Sequence, residues 1–466
     1  MRTAPAALAA LAVLTVTVGC SSAPAARPPT SPSPRGAASP SPSAAPSPGP
    51  LAPAGWYQYH GNAARTGNVA GLPAAGRLTV AWTAALDGAV YGQPLVVGTT
   101  VLAATENDEI YGLDLATGTM RWRTSVGAAE PLGEQPCGNL NPLGITSTGV
   151  YDPQTGLAYF VGQNGTSQHV LVGLNPSSGA IEVRTDVPSP DHQPFYDQQR
   201  GALALEDGYV YVVFGGHYGD CGPYTGSVVG VPASGHGTVY SYLVPTAKQG
   251  GIWAAGGPVI GPDGTIYVGT GNGAPTQGPY DGSDSVTALT PQLKEIGIFA
   301  PTDWRTLSAD DLDLGSMSPA LLPDGQILQV GKSGTGYLLD SAHLGGVGGQ
   351  VASGPVCAAF GGAAVSGSVA YVPCLTGLAA VNTAGNSVTV AWRGPADVWG
   401  SPVIGGGAIW VASPDSGVLD ELSPATGQVR YQLQVASALP HFVSPTLSGT
   451  LVLVGTLTGV TAVSGG

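Results

Sequence analysis

The feature that most constrains the fold is a short sheet-forming unit that the chain repeats. Residues 92–122 predict four short strands separated by turn residues: Pro94–Val97, Val101–Thr105, Ile110–Leu115 and a last strand that ends in Arg121-Trp122. A four-stranded sheet of this size cannot bury both of its faces alone. It therefore needs neighbours of the same kind.

A small residue or a proline before an apolar strand recurs along the chain at intervals of roughly 40–60 residues, which is typical of propeller blades. The eight starts lie at Pro94, Leu143, Gly201, Pro258, Pro319, Val356, Pro402 and Pro445. The last unit has room for three strands, and Leu78–Leu86 offers an outermost strand with no blade of its own. We therefore predict an all-β, eight-bladed propeller of four-stranded antiparallel blades, closed by pairing of this N-terminal strand with the last blade.

The N-terminal residues predict export and a membrane anchor. Residues 1–19 are apolar with Arg2 as their one charge, and Thr17-Val18-Gly19-Cys20 resembles a bacterial lipobox, in which the cysteine carries diacylglycerol and a further acyl chain such as palmitate. Plain secretion with a cleaved signal peptide and a retained span are the alternatives. Residues 20–53, rich in Ala, Pro and Ser, predict a disordered linker, and residues 54–466 the propeller. We expect an extracytoplasmic lipoprotein that contacts the cell membrane through its anchor only.

Charge and composition exclude some classes of binding partner. The chain has 29 acidic and 15 basic residues, a formal net charge of -14, which argues against nucleic acid and against anionic lipid surfaces. We expect a monomer that binds a protein partner or a small ligand at a propeller face.

Four cysteines follow Cys20, an even number that favours two disulfides in an exported protein. Cys357 and Cys374 fall on the predicted consecutive strands 355–360 and 368–374 of the sixth unit, with a turn near 364–367. They would face each other across this hairpin, so we pair them. Cys137 and Cys221 then pair by elimination.

The repeat, with its Pro start, its Tyr111-Gly-Leu-Asp114 strand and its Thr117-Gly-x-x-x-Trp122 end, resembles that of the pyrroloquinoline quinone (PQQ)-binding-like β-propellers. This superfamily contains quinoprotein alcohol dehydrogenases and also non-enzymatic lipoproteins such as the scaffold subunit of the bacterial outer-membrane assembly machine. The segment from Trp56 to Gly67 resembles the lead-in of the same superfamily. The repeat identifies a fold and not a reaction.

One region resembles the dehydrogenases more specifically, and it runs from Gly269-Thr-Gly-Asn272 through Asp310-Asp311-Leu-Asp313 to Gly331-Lys332. The resemblance implies calcium at Asn272, a general base at Asp311 or Asp313, and a quinone contact from Lys332. Asp220 is the one residue that stands where a second, glutamate ligand of calcium is usual. Trp253, Trp304 and Trp399 are candidates for the tryptophan that stacks on the quinone, and we take Trp253.

Arg200 is a further candidate for binding, because it follows the polar, aromatic segment 191–199 and would suit an anionic ligand at the channel mouth. Packing against a neighbouring blade is the alternative. The chain also lacks the adjacent Cys-Cys pair that is usual in the dehydrogenases. The favoured hypothesis is therefore a non-enzymatic binding or scaffold lipoprotein. The alternatives are a PQQ- and calcium-dependent alcohol or sugar dehydrogenase, and a solute- or glycan-binding lipoprotein that uses exposed loops such as 218–224.

Overall fold

The computed structural model describes residues 55–69, 72, 76–165 and 168–465. The predicted signal segment, Cys20 and the predicted linker lie outside the described residues. Within the described residues, no helix combines the length and the apolar character needed to cross a membrane.

Eight mainly antiparallel sheets succeed one another along the chain, which confirms the predicted eight-bladed propeller. In chain order the first half contains β1 (Gly55–Trp56), β2 (Asn68–Val69), β3 (Leu78–Ala85), β4 (Leu95–Val97), β5 (Thr100–Thr105), β6 (Glu109–Asp114), β7 (Met120–Ser125), β8 (Val150–Asp152), β9 (Leu157–Asn164), β10 (Gln168–Leu174), β11 (Ile181–Val187), β12 (Asp197–Gln198), β13 (Ala204–Glu206), β14 (Tyr209–Gly216), β15 (Ser227–Pro232) and β16 (Tyr240–Leu243).

The second half adds one short α-helix, α1 (Trp304–Ala309), and two 3-10 turns lie at Tyr59–Gly61 and Leu314–Ser316. Its strands are β17 (Val259–Ile260), β18 (Ile266–Thr270), β19 (Ser285–Leu289), β20 (Glu295–Ala300), β21 (Ala320–Leu321), β22 (Gln326–Val330), β23 (Thr335–Asp340), β24 (Gly346–Val347), β25 (Ala352–Pro355), β26 (Ala364–Ser366), β27 (Val369–Cys374), β28 (Gly377–Asn382), β29 (Thr389–Arg393), β30 (Val403–Gly405), β31 (Ala408–Ser413), β32 (Val418–Leu422), β33 (Val429–Gln434), β34 (Thr446–Ser448), β35 (Leu451–Thr456) and β36 (Gly459–Gly465).

Blades 1 to 8 are built on β4–β7, β8–β11, β13–β16, β17–β20, β21–β23 with β25, β26–β29, β30–β33, and β34–β36 with β3. The predicted closure is confirmed, because β3 pairs antiparallel with β36, with Leu78 opposite Gly465 and Ala85 opposite Gly459. The last blade thus takes its outermost strand from the N-terminal side of the chain. Ring closure removes an open edge that would otherwise pair with other chains.

The core consists of apolar layers between adjacent blades. One such layer joins Leu102 and Ile110 of blade 1 to Phe160 and Val172 of blade 2, all of them buried. Each blade therefore buries its two faces against its two neighbours, as the repeat requires.

A repeated aromatic contact fixes the angle between neighbouring blades. Trp82 of blade 8 packs on Gly118 of blade 1, and its indole Nε1 donates to the Leu115 carbonyl at 3.0 Å. Trp122 of blade 1 packs on Gly179 of blade 2 in the same way and donates to the Pro176 carbonyl at 3.0 Å. Gly118 and Gly179 have φ values of 70° and 73°, and each Cα lies so close to the indole that a Cβ would clash. The glycine of the Thr-Gly turn is therefore needed because the tryptophan of the preceding blade packs directly against its backbone.

The lead-in segment, residues 55–69, lies inside the ring. Its carbonyls at Tyr57, Ala63, Thr66 and Gly67 accept bonds from inner strands of blades 2, 4, 6 and 7, donated by the backbone N–H groups of Tyr151, Ile260, Val365 and Ile404. The guanidinium of Arg65, which is 3% exposed, donates to the carbonyls of Leu203 and Pro258 at 2.7 and 3.1 Å. Because the segment reaches blades on all sides of the ring, it fills the central channel.

Two predicted repeat starts are wrong. The segment that begins at Leu143 is buried, but its backbone bonds to Glu130 and Thr105, and blade 2 begins at β8 instead. The start at Val356 is also wrong, because Ala352–Pro355 is the outer strand of blade 5 and blade 6 begins at β26. In both places an apolar run is buried by docking against a neighbouring blade, which a period-2 pattern cannot distinguish from a strand.

Both predicted disulfides are present, but one of them connects different elements from those predicted. Cys137 and Cys221 join the loop after blade 1 to the loop between β14 and β15 of blade 3. Cys357 lies in the loop from blade 5 to blade 6, whereas Cys374 ends the second strand of blade 6, so this disulfide ties the connecting loop to blade 6 and does not lie across one hairpin.

We call the upper face the one that carries two kinds of loop. The first kind joins the outer strand of one blade to the inner strand of the next, and the second joins the second and third strands within a blade. Both disulfides and all seven candidate site residues in the propeller lie in such loops or at their ends. The opposite, lower face carries the short turns such as 115–119.

Candidate functional site

Three aromatic rings meet over the propeller axis on the upper face. Trp253, Phe360 and Phe442 come from the loops that lead into blades 4, 6 and 8, and their ring centroids lie 6.2, 6.1 and 6.0 Å apart. Loops from such different positions can meet only near the axis. We call these three residues the aromatic triangle. Phe442 adopts a φ of 64°, an uncommon conformation for a bulky residue, which its ring contacts hold in place.

A lysine lies beside the triangle between two carboxylates. Lys332 Nζ is 2.6 Å from Asp313 Oδ2 and 2.8 Å from Asp311 Oδ1, and it lies 5.7 Å from the centroid of the Trp253 ring. Burial alone would lower the pKa of Lys332, but the two carboxylates raise it. The structure thus brings together four of the predicted site residues: Asp311, Asp313, Lys332 and Trp253. We call Lys332, Asp311 and Asp313 the lysine cluster.

Asp313 also anchors Asn272. The Asn272 backbone N–H donates to Asp313 Oδ1 at 2.6 Å, and Asp313 is 3% exposed. Burial raises the pKa of Asp313 although Lys332 and this hydrogen bond oppose the shift. The aspartate therefore joins the loops of blades 4 and 5.

Asp220 lies elsewhere on the upper face. It is exposed, and its carboxylate accepts a hydrogen bond from Tyr224 Oη at 2.6 Å. Burial, followed by the charges of Asp220, Asp313 and Asp311, raises the pKa of Tyr224, so the tyrosine stays a protonated donor. Tyr224 is thus bonded to Asp220 and also senses the charges of Asp313 and Asp311.

The remaining acidic residues of this region hold the loops in place. Asp284, which is fully buried, accepts from the Ser308 hydroxyl at 2.7 Å and from the Leu314 backbone N–H at 2.9 Å. It thereby fixes α1 and the turn after it. Burial raises the pKa of Asp284 to about 7, which its two donors oppose.

Arg200 contacts the opposite side of the aromatic triangle. Its Cζ lies 5.2 Å from the centroid of the Phe442 ring and 6.0 Å from that of Tyr91, and its Nη2 donates to the His441 carbonyl at 3.2 Å. Such distances are typical of cation–π contacts. The triangle is thus bordered by Arg200 on one side and by the lysine cluster, with one ammonium and two carboxyl groups, on the other.

The other two tryptophan candidates do not join the triangle. Trp304 is 2% exposed in α1, where it packs against Tyr280 and Arg305. Trp399 packs against His441 and donates to Asp415 at 3.3 Å.

Sequence reasoning missed Phe360, Phe442 and Glu106. The two phenylalanines follow no periodic pattern, and only the folded ring brings them together. Glu106 lies between the predicted strands Val101–Thr105 and Ile110–Leu115, where an exposed turn is expected, yet it is 4% exposed.

The fit of these residues to a calcium–quinone pair is poor. Among the described residues, no group of three or more His, Cys, Asp or Glu side chains could hold a metal ion, and the carboxylates of the lysine cluster are engaged by Lys332. A planar ring inserted between Phe360 and Phe442 needs a separation of about 7 Å, twice an ordinary carbon contact, whereas these rings are nearly parallel at 6.0 Å. We therefore derive no reaction step through PQQ or calcium.

Comparison with known proteins agrees with the fold. A family model described as "Outer membrane protein assembly factor BamB" matches residues 63–273, somewhat less than half of the chain. No curated protein sequence matches the chain. The resemblance of the repeat to the PQQ-binding-like propellers is confirmed by this match and by the solved structures that follow.

Solved structures with the same fold include two dehydrogenases and the protein BamB. The quinohemoprotein alcohol dehydrogenase from Comamonas testosteroni is 14% identical with a TM-score of 0.66, over 88% of this chain and 80% of that one. A europium-containing methanol dehydrogenase is 16% identical with a TM-score of 0.67, over 88% and 98%. BamB from Moraxella catarrhalis is 15% identical with a TM-score of 0.56, over 83% and 97%. At such identities the likeness shows the fold alone.

Proposed function

We propose that this chain is an extracytoplasmic, lipid-anchored propeller that binds a protein partner or a small ligand at its upper face and does not catalyse quinone chemistry. The observation that carries the proposal is the state of the charges at the centre of that face. Lys332 is paired with Asp311 and Asp313 at 2.8 and 2.6 Å, so its ammonium is engaged by two protein carboxylates and is not offered to a reduced quinone, and Asp313 is held by both Lys332 and the Asn272 N–H.

The aromatic triangle supports the same function. Its rings contact one another and cover the axis, and the lead-in segment fills the channel beneath them. A ligand or a partner would therefore meet a surface of rings bordered by Lys332 and Arg200. Aromatic and arginine side chains of this kind are enriched where binding energy is concentrated.

The two disulfides support a location outside the cytoplasm, where such bonds persist. A lipid on Cys20 is a proposal from the sequence. It is tested by the mass of the N-terminal peptide of the mature protein and by fractionation of a Cys20→Ser variant, which we expect to leave the membrane fraction.

The test of non-catalytic binding uses the exported full chain with PQQ, with and without calcium, and follows quinone absorbance and melting temperature. Primary alcohols and sugars are then added with a redox dye. We expect no calcium-dependent dye reduction. Stoichiometric, calcium-dependent binding with turnover that is lost in Asn272→Ala, but kept in Asn175→Ala on the lower face, would overturn the proposal in favour of a dehydrogenase.

A protein partner is tested by photocrosslinking in living cells. A crosslinking residue at Tyr218, which is 71% exposed in an upper-face loop, is compared with one at Met120, which is 56% exposed on an outer strand. We expect a discrete adduct from position 218 only. Equal labelling from both positions would contradict an upper-face binding site.

A further inference from the structure

A second feature of the upper face is a cavity of about 320 Å³ between blades 8 and 1. It is formed by the loop before blade 1, the turn after β5, the loop before blade 2 and the turn after β35. Its polar lining consists chiefly of Asp87, Tyr91, Glu106, Asn107, Asn139 and Asn141. No Lys, Arg or His lines it. The volume suits a small organic molecule.

Glu106 is the buried polar group of this cavity. It is 4% exposed, and its Oε2 accepts from the Gly144 backbone N–H at 2.9 Å and from the Thr146 hydroxyl at 3.1 Å. Its Oε1 is buried and has no hydrogen-bond partner among the described residues. A carboxylate oxygen without a donor carries the full cost of desolvation, so it is rare unless a ligand or water supplies one.

The charged residues around Glu106 do not supply it with an ion-pair partner. Arg123 pairs with Asp87 and with Glu109, each at 2.9 Å. In the described part of the chain, Glu106 and Asp108 make no ion pair within 4.0 Å. Arg200 acts on Glu106 only at longer range, and its hydrogen bond goes to the His441 carbonyl.

These charges have a measurable consequence for Glu106. Burial raises its pKa to about 7, while the donors Gly144 and Thr146 and the charge of Arg200 oppose the shift. Burial raises the pKa of Asp108 to about 8, and the charge of Glu106 adds to it. Burial and the charge of Glu106 also raise the pKa of Tyr91, which lines the cavity. The cavity is thus anionic above neutral pH and has no cation of its own.

We propose that this cavity binds a small organic cation with a primary ammonium group, which compensates the charge of the Glu106 carboxylate and bonds to Glu106 Oε1 once a turn of the side chain brings this buried atom to the cavity wall. The amide groups of Asn107 and Asn139 and the ring of Tyr91 would contact the remainder of such a molecule. An anion is disfavoured because the Glu106 carboxylate makes no ion pair within 4.0 Å among the described residues, whereas Asp87 is already paired with Arg123. This site is separate from the lysine cluster and goes beyond the function proposed above.

The test titrates the full-length protein with n-butylammonium chloride at pH 8 by calorimetry, with 1-butanol as the neutral probe of equal size and calcium chloride as the metal probe. We expect saturable binding of the ammonium and at least tenfold weaker binding of the alcohol. Binding should weaken about tenfold between pH 8 and pH 6, because Glu106 becomes protonated over this interval. Calcium should not compete.

Variants separate the site from the fold. Glu106→Gln keeps the size of the side chain and should weaken ammonium binding at least tenfold, and Asn139→Trp at the exposed rim should do so by obstruction. Asp420→Asn, at a carboxylate in blade 7 that is also 3% exposed, is the matched control and should bind as the wild type does. Equal affinity for 1-butanol, unchanged affinity in Glu106→Gln, or displacement by calcium would overturn the proposal. None of these results depends on whether the chain binds PQQ.

Discussion

Replacing Lys332 by methionine tests whether the lysine cluster holds the centre of the upper face together. The change removes the ammonium that lies 2.6 Å from Asp313 and 2.8 Å from Asp311, and it keeps most of the aliphatic chain. It leaves two carboxylates in very different settings, since the side chain of Asp313 is 4% exposed and that of Asp311 is 64% exposed.

The expected loss in the free energy of unfolding is set by the burial of Asp313. Removing one partner of a buried ion pair costs about 3–5 kcal/mol, because the other charge is left uncompensated. We expect about 3 kcal/mol, the lower end, because the Lys332 side chain is itself 21% exposed and water can enter in its place. Asp313→Asn alone keeps the Lys332–Asp311 pair and the acceptor for Asn272, so we expect a loss of about 1 kcal/mol.

The double variant Lys332→Met/Asp313→Asn should cost about 2 kcal/mol less than the sum of the two single changes, because it removes the uncompensated charge. Urea unfolding at pH 8 measures all four proteins, with Lys294→Met on the exposed surface as the control for a lysine-to-methionine change.

The pH dependence gives a second readout. The pKa of Asp313 is already raised, and loss of Lys332 removes the cation that opposes this shift. An ionised carboxylate with a raised folded-state pKa destabilises the fold fully above that pKa, and the effect disappears as the pH falls towards the unfolded value of about 4. The loss in the free energy of unfolding caused by Lys332→Met should therefore be smaller at pH 4.5 than at pH 8. A deficit under about 1 kcal/mol at pH 8, or strictly additive single changes, would refute the reasoning.

Three further predictions concern stability. Glu106→Gln should stabilise the protein by up to about 3 kcal/mol at pH 8 and hardly at all at pH 4.5, because the pKa of Glu106 is raised to about 7; equal urea midpoints of variant and wild type at pH 8 would contradict this. Trp82→Ala should cost about 3–5 kcal/mol, since it removes the closing strand's contact with blade 1; a cost below about 1 kcal/mol would mean that this contact adds little to the closure made by the β3–β36 pairing. Cys137→Ser/Cys221→Ser opens a link across 84 residues and should cost about 4–5 kcal/mol. Removal of the other disulfide, which spans 17 residues, should cost about 3 kcal/mol, and the reverse order would argue against loop entropy as the cause.

The Glu106 result would bear on function as well as on stability. A carboxylate that destabilises the fold and yet is kept buried is the kind of residue that binding sites retain at the expense of stability. If Glu106→Gln is both more stable and unable to bind the ammonium probe, the two measurements agree on one cause.

Much of the fold could be predicted from the chain because its signals are local. Six of eight blade starts, the closing strand and both cysteine pairs depend on short apolar runs, turn residues and an even count of cysteines. The two wrong starts, at Leu143 and Val356, occur where a buried run docks on a neighbour without becoming the first strand of a blade. The resemblance to the dehydrogenases also selected Asn272, Asp313, Lys332 and Trp253, which the fold brings close together.

The sequence by itself determined the blade, its repetition and the closure of the ring, because each depends on residues that are neighbours along the chain. Only the tertiary structure decided that Lys332 pairs with two aspartates, that Phe360 and Phe442 meet Trp253 over the axis, and that Glu106 is buried beside a cavity. These residues lie in loops of different blades, and such loops follow no periodic pattern. Their contacts exist because ring closure carries the loops to one face, and it is there that burial and charge decide what the face can bind.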